Sequence, residues 1–257
     1  MVVILSPWQR WLTALRQWWD ELRLPQDRCL VCGKALPPLV TVFLCRKCFL
    51  QIPLVGTSYC HRCGRPVQER RLCYHCQGAW PRYYAQVRAL CLYDDPVRDW
   101  LHAMRYLGQW ELAYALGELM ALRLADHQFP VDCVIPVPLY PQRLRQRGYN
   151  QAELLAERIA VGNWLPLYSQ VVGRIRDTRP QAGLSGGQRR NNVKQAFAVF
   201  EPTLIRGKTI LLVDDIYTTG ATINELARVL LRSGASKVYG YCLAVDANDH
   251  DLEVGDT

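Results

Sequence analysis

The chain has 257 residues, 50% hydrophobic and 21% charged, with a formal net charge of +8. That size supports one large domain or two small ones around a substantial core, and the composition excludes a mostly disordered chain. No apolar run reaches the roughly 18 residues that span a bilayer, and no apolar segment precedes a small-residue cleavage site at the N-terminus. Neither an integral membrane protein nor a secreted one is expected, and the expected location is cytoplasmic.

The charge is uneven. Residues 1–90 carry 13 Lys/Arg against 4 Asp/Glu, a formal +9, whereas residues 91–257 carry 18 against 19, a formal −1. A basic N-terminal third suits a polyanion or an acidic partner. Within it, residues 6–24 read as an amphipathic helix. Trp8, Trp11, Leu12, Leu15, Trp18, Trp19 and Leu22 share one stripe, and Arg10, Arg16 and Arg23 take other faces. Such a stripe packs on the rest of the chain or docks on a partner or membrane surface.

Eight of the 11 cysteines follow as four Cys-x-x-Cys pairs: Cys29/Cys32, Cys45/Cys48, Cys60/Cys63 and Cys73/Cys76. In a reducing compartment a disulfide framework is disfavoured, and two such pairs can surround one tetrahedral ion. The eight cysteines therefore predict two structural zinc ions, with redox pairs as the competing reading. Sequential and interleaved ligation use the same residues, and the sequence leaves both open. With every position filled by thiolate, neither metal has a site for catalysis. His61 and His75 read as exposed neighbours rather than ligands. Two bound ions would reduce the +9 to about +5. Phe43, Phe49, Tyr59, Tyr74, Trp80, Tyr83 and Tyr84 are interleaved with this charge. They either form the module's small core or stack on unpaired bases, in which case single-stranded DNA is the partner. The module is expected to be encoded separately from the rest, so that a 1–90 fragment would stand alone.

After the Cys-rich segment, strands and helices alternate. A strand is predicted over Val87–Tyr93, helices from Asp94–Pro96 to Leu107 and over Trp110–Ala125, and a strand over Asp132–Pro138. A helix over Gln151–Ala160 follows Arg143, Arg145 and Arg147. Residues 174–195 read as a long polar loop, followed by a strand over Ala196–Phe200. Thr209–Val213, Thr222–Ser233 and Lys237–Cys242 read as strand, helix and strand. This alternation implies a parallel α/β sheet. The expected domains are an N-terminal helix (1–28), a double zinc module with four cysteines per ion (29–85), an α/β domain (86–246) and an acidic tail (247–257).

The most informative stretch runs from Ile210 to Thr222, where an apolar strand ends in Asp214 and Asp215 and a Thr/Gly turn opens a helix. A helix N-terminus presents unpaired N–H groups to an anion. Thr218, Thr219 and Thr222 add hydroxyls, and Gly220 and Ala221 let the backbone approach closely. Two carboxylates at a strand tip can accept hydrogen bonds from a vicinal diol, or lie near Mg²⁺ carried by the ligand. A ribose 5-phosphate has both features, and the carboxyl end of a parallel strand is where α/β folds usually bind ligands.

This segment resembles the phosphoribosyl-pyrophosphate (PRPP) loop of type I phosphoribosyltransferases. The chain over about residues 29–245 resembles the ComF/GntX family, proteins linked to DNA uptake and use of external DNA. The resemblance is carried by the Cys pairs, Pro136-Val-Pro-Leu139, Arg147-Gly148-Tyr149-Asn150-Gln151, Arg189-x-x-Asn192 and the 213–222 loop. It implies a type I phosphoribosyltransferase-like parallel sheet flanked by helices, preceded by the zinc module. It further implies a PRPP or ribose-phosphate ligand carried with Mg²⁺, and other DNA-uptake or recombination proteins as partners. Gly148 would shape the pyrophosphate side, and Arg147 and Arg189 would bind pyrophosphate oxygens. Where the family often has Lys before an aromatic, this chain has Arg105-Tyr106. Thr218 stands where the purine-salvage relatives carry an acid/base Asp, and it cannot do that work at neutral pH. Catalytic residues are therefore unassigned. The leading expectation is a PRPP-binding protein of DNA uptake; a working phosphoribosyltransferase and a DNA-binding adaptor with a vestigial pocket are the alternatives.

Overall fold

The computed structural model describes residues 27–37, 42–68, 72–78, 80–177, 188 and 192–247. The helix expected over 6–24, the tail beyond 247, and Arg189 lie outside these residues. In chain order the elements are α1 (Arg46–Leu50), α2 (Tyr74–Gln77), β1 (Val87–Leu92), α3 (Val97–Tyr106), α4 (Glu111–Arg123), β2 (Cys133–Pro136), α5 (Pro141–Arg147), α6 (Gln151–Gly162), β3 (Val172–Arg174), β4 (Phe197–Val199), β5 (Thr209–Tyr217), α7 (Ala221–Arg232) and β6 (Lys237–Val245).

Four strands form one parallel sheet in the order β1-β6-β5-β2. Their near-continuous Val, Leu and Ile content reflects cover on both faces. On one face Leu211, Val213, Tyr241 and Leu243 pack with Met104 of α3, Leu116 and Met120 of α4, and Leu155 and Ile159 of α6. On the other, Ile210, Leu212 and Val245 pack with Ile223, Leu226 and Leu230 of α7. That 3/4/7 spacing is the apolar stripe of a half-buried helix, whereas α4 buries residues all round, as a helix enclosed by its neighbours must. Asn150 caps α6: its Oδ1 accepts from Ala152 N at 3.1 Å, and its Nδ2 donates to Val137 O at 3.0 Å, tying the helix start to the end of β2.

Three elements depart from expectation. β5 runs four residues beyond Val213, carrying both acids and Tyr217 within the strand. α5 has no counterpart among the predicted elements; it opens on Pro141 and closes at Gly148, whose φ is +84°. The polar loop has its two ends tied by an antiparallel pair: β4 falls within the strand expected over Ala196–Phe200, whereas β3, three residues long, is too short to leave a periodicity.

The zinc module is not a separate core. Cys29, Cys45 and Cys48 belong to the cluster on the α3/α4/α6 face, and Cys60, Cys63, Cys73 and Cys76 to the cluster on the α7 face. The two ribbons thus join different core clusters of the same domain. Gly64 shows how close the approach is: at φ +74° it turns the second knuckle, and a Cβ there would stand 2.8 Å from the Val87 carbonyl oxygen. The ribbon cysteines thus share their core clusters with residues from the α/β sheet and its helices.

Candidate functional site

The turn between β5 and α7 leads into a 12-residue helix. Gly220 is its N-cap at φ +75°, and Ala221 N donates to Thr219 Oγ1 at 3.4 Å. Asp214, Thr218, Gly220, Ala221, Thr222 and Ile223 line a small open cleft at this turn. The sequence explains Gly220 by the approach of an anion. The structure gives a second reason: a Cβ there would strike the Tyr217 hydroxyl packed beneath it.

The two acids have different surroundings. Asp215 is almost fully enclosed on the α3/α6 face. Arg105 Nε donates to its Oδ2 at 2.7 Å, Arg105 Nη2 to its Oδ1 at 2.6 Å, and Gln151 Nε2 to its Oδ2 at 2.7 Å. Burial would raise the Asp215 pKa, but Arg105 and Gln151 hold it below the ordinary carboxylate value. Asp214 opens to the cleft on the α7 side, and its Oδ1 accepts from Asp215 N at 2.9 Å. Burial, then the charge of Asp215, push its pKa well above the ordinary value. The two acids are thus placed differently: Asp214 lines the cleft, and Asp215 is largely committed to Arg105 and Gln151.

The thiols fall into two sets, Cys29/Cys32/Cys45/Cys48 and Cys60/Cys63/Cys73/Cys76, with the Sγ atoms of each set within 4.8 Å of one another. Ligation is thus sequential. Cys32–Cys45 and Cys63–Cys73 are 3.7 and 3.5 Å apart, close to the roughly 3.8 Å edge of a tetrahedron with Zn–S bonds of about 2.3 Å. Cys45 is drawn down to about 7, chiefly by the backbone N–H of Cys48, while burial pushes Cys48 up. Four thiols this crowded cannot all ionise without a cation among them, so each set fits a structural Zn²⁺. His61 and His75 are exposed and belong to neither set.

The double zinc ribbon domain family matches residues 21–77, and the phosphoribosyl transferase domain family matches residues 153–255. Competence protein F of Haemophilus influenzae is 30% identical over 222 residues, covering 79% of this chain and 96% of that protein. The chain belongs to the ComF/GntX family. DNA utilization protein YhgH of Salmonella typhimurium is 35% identical, over 72% of this chain and 83% of that protein. Competence protein ComFC of Streptococcus pneumoniae is 28% identical, over 84% and 99%. This ComF-family chain thus combines a double zinc ribbon, with two four-cysteine sites, and a phosphoribosyltransferase-type sheet.

In this member of the family, Arg147 sits beside the acids: it donates to Gln151 Oε1, and its guanidinium lies 5.7 Å from the Tyr106 ring. Burial and the neighbouring Arg105 lower its pKa against the opposing charge of Asp215. Gly148 is exposed at the end of α5, with open space beside its Cα. Arg105, Gln151 and Arg174 have no site role in the sequence reading. Gln151 is visible there as the last residue of Arg-Gly-Tyr-Asn-Gln and the first of a predicted helix. Arg174, at the end of β3, is buried over Phe197. Its pKa is lowered by burial and by Arg143, against the charges of Asp214 and Asp177. Arg105 matters because it is arginine: its planar fork reaches both Asp215 oxygens, which a lysine ammonium cannot do in that geometry.

Proposed function

We propose that this ComF-family chain binds PRPP, or a related ribose 5-phosphate with Mg²⁺, at the β5–α7 turn, and that it serves DNA uptake or the use of external DNA. One observation carries the reading: the Asp214 carboxylate faces the same cleft as Thr218, Gly220, Ala221 and Thr222 at a helix N-terminus. In this reading the amides and threonine hydroxyls take the 5-phosphate, and Asp214 accepts from the ribose diol. Asp215 holds Arg105 and Gln151 in place, and through Gln151 it orients Arg147. Arg147, Gly148 and Arg189 take the pyrophosphate side, with Arg143 and Arg174 adding positive charge near Asp214. Bound Mg²⁺ would arrive with the pyrophosphate and offset its charge.

The role in DNA handling is supported by the names of the relatives, competence protein and DNA utilization protein. Thr218 offers no group that exchanges protons at neutral pH, which favours binding over transfer to a base. Calorimetric titration with PRPP and Mg²⁺ tests the proposal. Saturable binding that needs Mg²⁺ and weakens strongly in Asp214→Asn is expected, and no binding in the wild type would overturn it. Pyrophosphate release with an added acceptor would turn the binding protein into a transferase.

A further inference from the structure

We propose that the second zinc ribbon is a clasp on the phosphate loop, with Arg65 as its positioning residue, so that zinc at Cys60, Cys63, Cys73 and Cys76 sets the loop's affinity for a phosphomonoester. The affinity part rests on the reading of the β5–α7 turn as a phosphate site.

A loop that offers its amides to an anion must turn its carbonyls elsewhere, and carbonyls turned inward must be bonded. Here the acceptors at Thr218 and Thr219 both meet arginines from or beside the second ribbon. Arg65, two residues after Cys63, donates from Nη2 to Thr218 O and from Nε to Asp246 O at 3.0 Å. Its side chain is fully enclosed, and its guanidinium lies 5.5 Å from the Tyr217 ring. Arg82 Nη1 donates to Thr219 O at 3.4 Å, and its Nη2 to His75 O at 2.8 Å, inside the Cys73–Cys76 turn. Tyr84 and Tyr217 share a hydroxyl–hydroxyl bond of 2.7 Å beneath the loop. Asn224, in the first turn of α7, accepts from Tyr83 N at 2.7 Å and donates to Pro81 O at 3.0 Å.

The metal is part of this linkage. Arg65 is held by its own backbone, whose carbonyl accepts from Cys60 N at 2.7 Å, while Gly64 N donates to Cys60 O at 2.9 Å. Arg65 thus leaves a knuckle whose shape four thiolates around one ion would fix. Losing the ion frees the knuckle, and with it the donor to Thr218. The first ribbon's cysteines belong to the other core cluster, and the bonds given above to the loop and the start of α7 all come from residues 65–83.

The test uses the full-length zinc-loaded protein, with zinc content measured for every variant. Amide hydrogen exchange over 217–222 and Mg·PRPP affinity are the two readouts. In Arg65→Met, exchange over 217–222 is expected to accelerate about tenfold and affinity to fall about tenfold, as for loss of one charge-assisted hydrogen bond. Exchange over 238–244 should stay as in the wild type, which a general loss of stability would not allow. Arg65→Lys should restore part of both, and Cys76→Ser should bind one zinc and reproduce the loss. If Arg65→Met does not hold two zinc ions, the Arg65→Lys comparison decides by the same readouts. Wild-type exchange over 217–222 in the folded variants would overturn the clasp. Absence of PRPP binding in the wild type would overturn the ligand reading instead, and leave the exchange measurement to judge the clasp.

Discussion

Asp214 and Asp215 are neighbours on β5 with different partners: Asp214 lines the cleft at the start of α7, and Asp215 is gripped by Arg105, at 2.6 and 2.7 Å. The consequences for stability have opposite signs. Asp215 has a depressed pKa, so its stabilising contribution is complete above the unfolded value of about 3.9 and is lost as pH falls through the folded value. Asp214 has a raised pKa, so its contribution is complete below about 3.9 and is lost as pH rises through the folded value. At pH 7 to 8, Asp214→Asn should therefore melt above the wild type and Asp215→Asn below it; the Asp214 gap closes as pH falls toward about 4, whereas the Asp215 gap persists there and closes only at lower pH. Thermal melts at several pH values check this; shifts of the same sign for both variants would refute it.

Arg105→Met strips Asp215 of its counter-charge inside the fold. A buried pair broken on one side costs about 3 kcal/mol or more, whereas Arg105→Lys keeps the charge and loses only the fork. Denaturant titration should rank wild type above Lys and Lys above Met.

Metal analysis of protein purified without added zinc should find about two Zn²⁺ per chain, the count that eight thiolates in two tetrahedral sets supply. Fewer than one ion, with all eight thiols reactive, would exclude the assignment.

The Tyr84–Tyr217 hydroxyl bond is enclosed on all sides, and burial raises both phenol pKa values, so both partners stay neutral. Tyr84→Phe leaves Tyr217 without this bond and should cost about 1–3 kcal/mol. Removing both hydroxyls should cost less than the two single changes together, which a double-mutant cycle measures.

Of the aromatic residues in the basic module, Tyr84 is enclosed, while Tyr74 is 75% exposed and Phe49 and Tyr83 are 39% and 38% exposed. If exposed rings stack on unpaired bases, the full-length protein binds single-stranded oligonucleotides weakly, without sequence preference, and less as salt rises. Tyr74→Ala should weaken binding several-fold in fluorescence anisotropy. No binding at low salt would make this surface a protein contact.

The parts of the site legible in the sequence are local ones. Four Cys-x-x-Cys pairs announce their chemistry because each pair is a single turn of chain, and the Thr/Gly turn does so because a strand, a loop and a helix start fall within 13 residues, from Ile210 to Thr222. The division of labour between the acids stays hidden as long as β5 is taken to end at Val213. Carried on to Tyr217, the strand holds both acids, and what separates their roles is the long-range contacts of Asp215 with Arg105 and Gln151. Arg65 leaves no signal. It lies 153 residues from Thr218, and no local pattern marks an arginine that will be enclosed by a distant loop.

That separation also has a consequence in time. The ribbons are synthesised first, but the carbonyls that Arg65 reaches, on Thr218 and Asp246, come last. At roughly 5–20 residues per second, a ribosome leaves the second knuckle without its partner for about ten to thirty seconds. A zinc ion bound during translation would hold the second ribbon's Cys60–Cys63 knuckle in shape until that partner arrives.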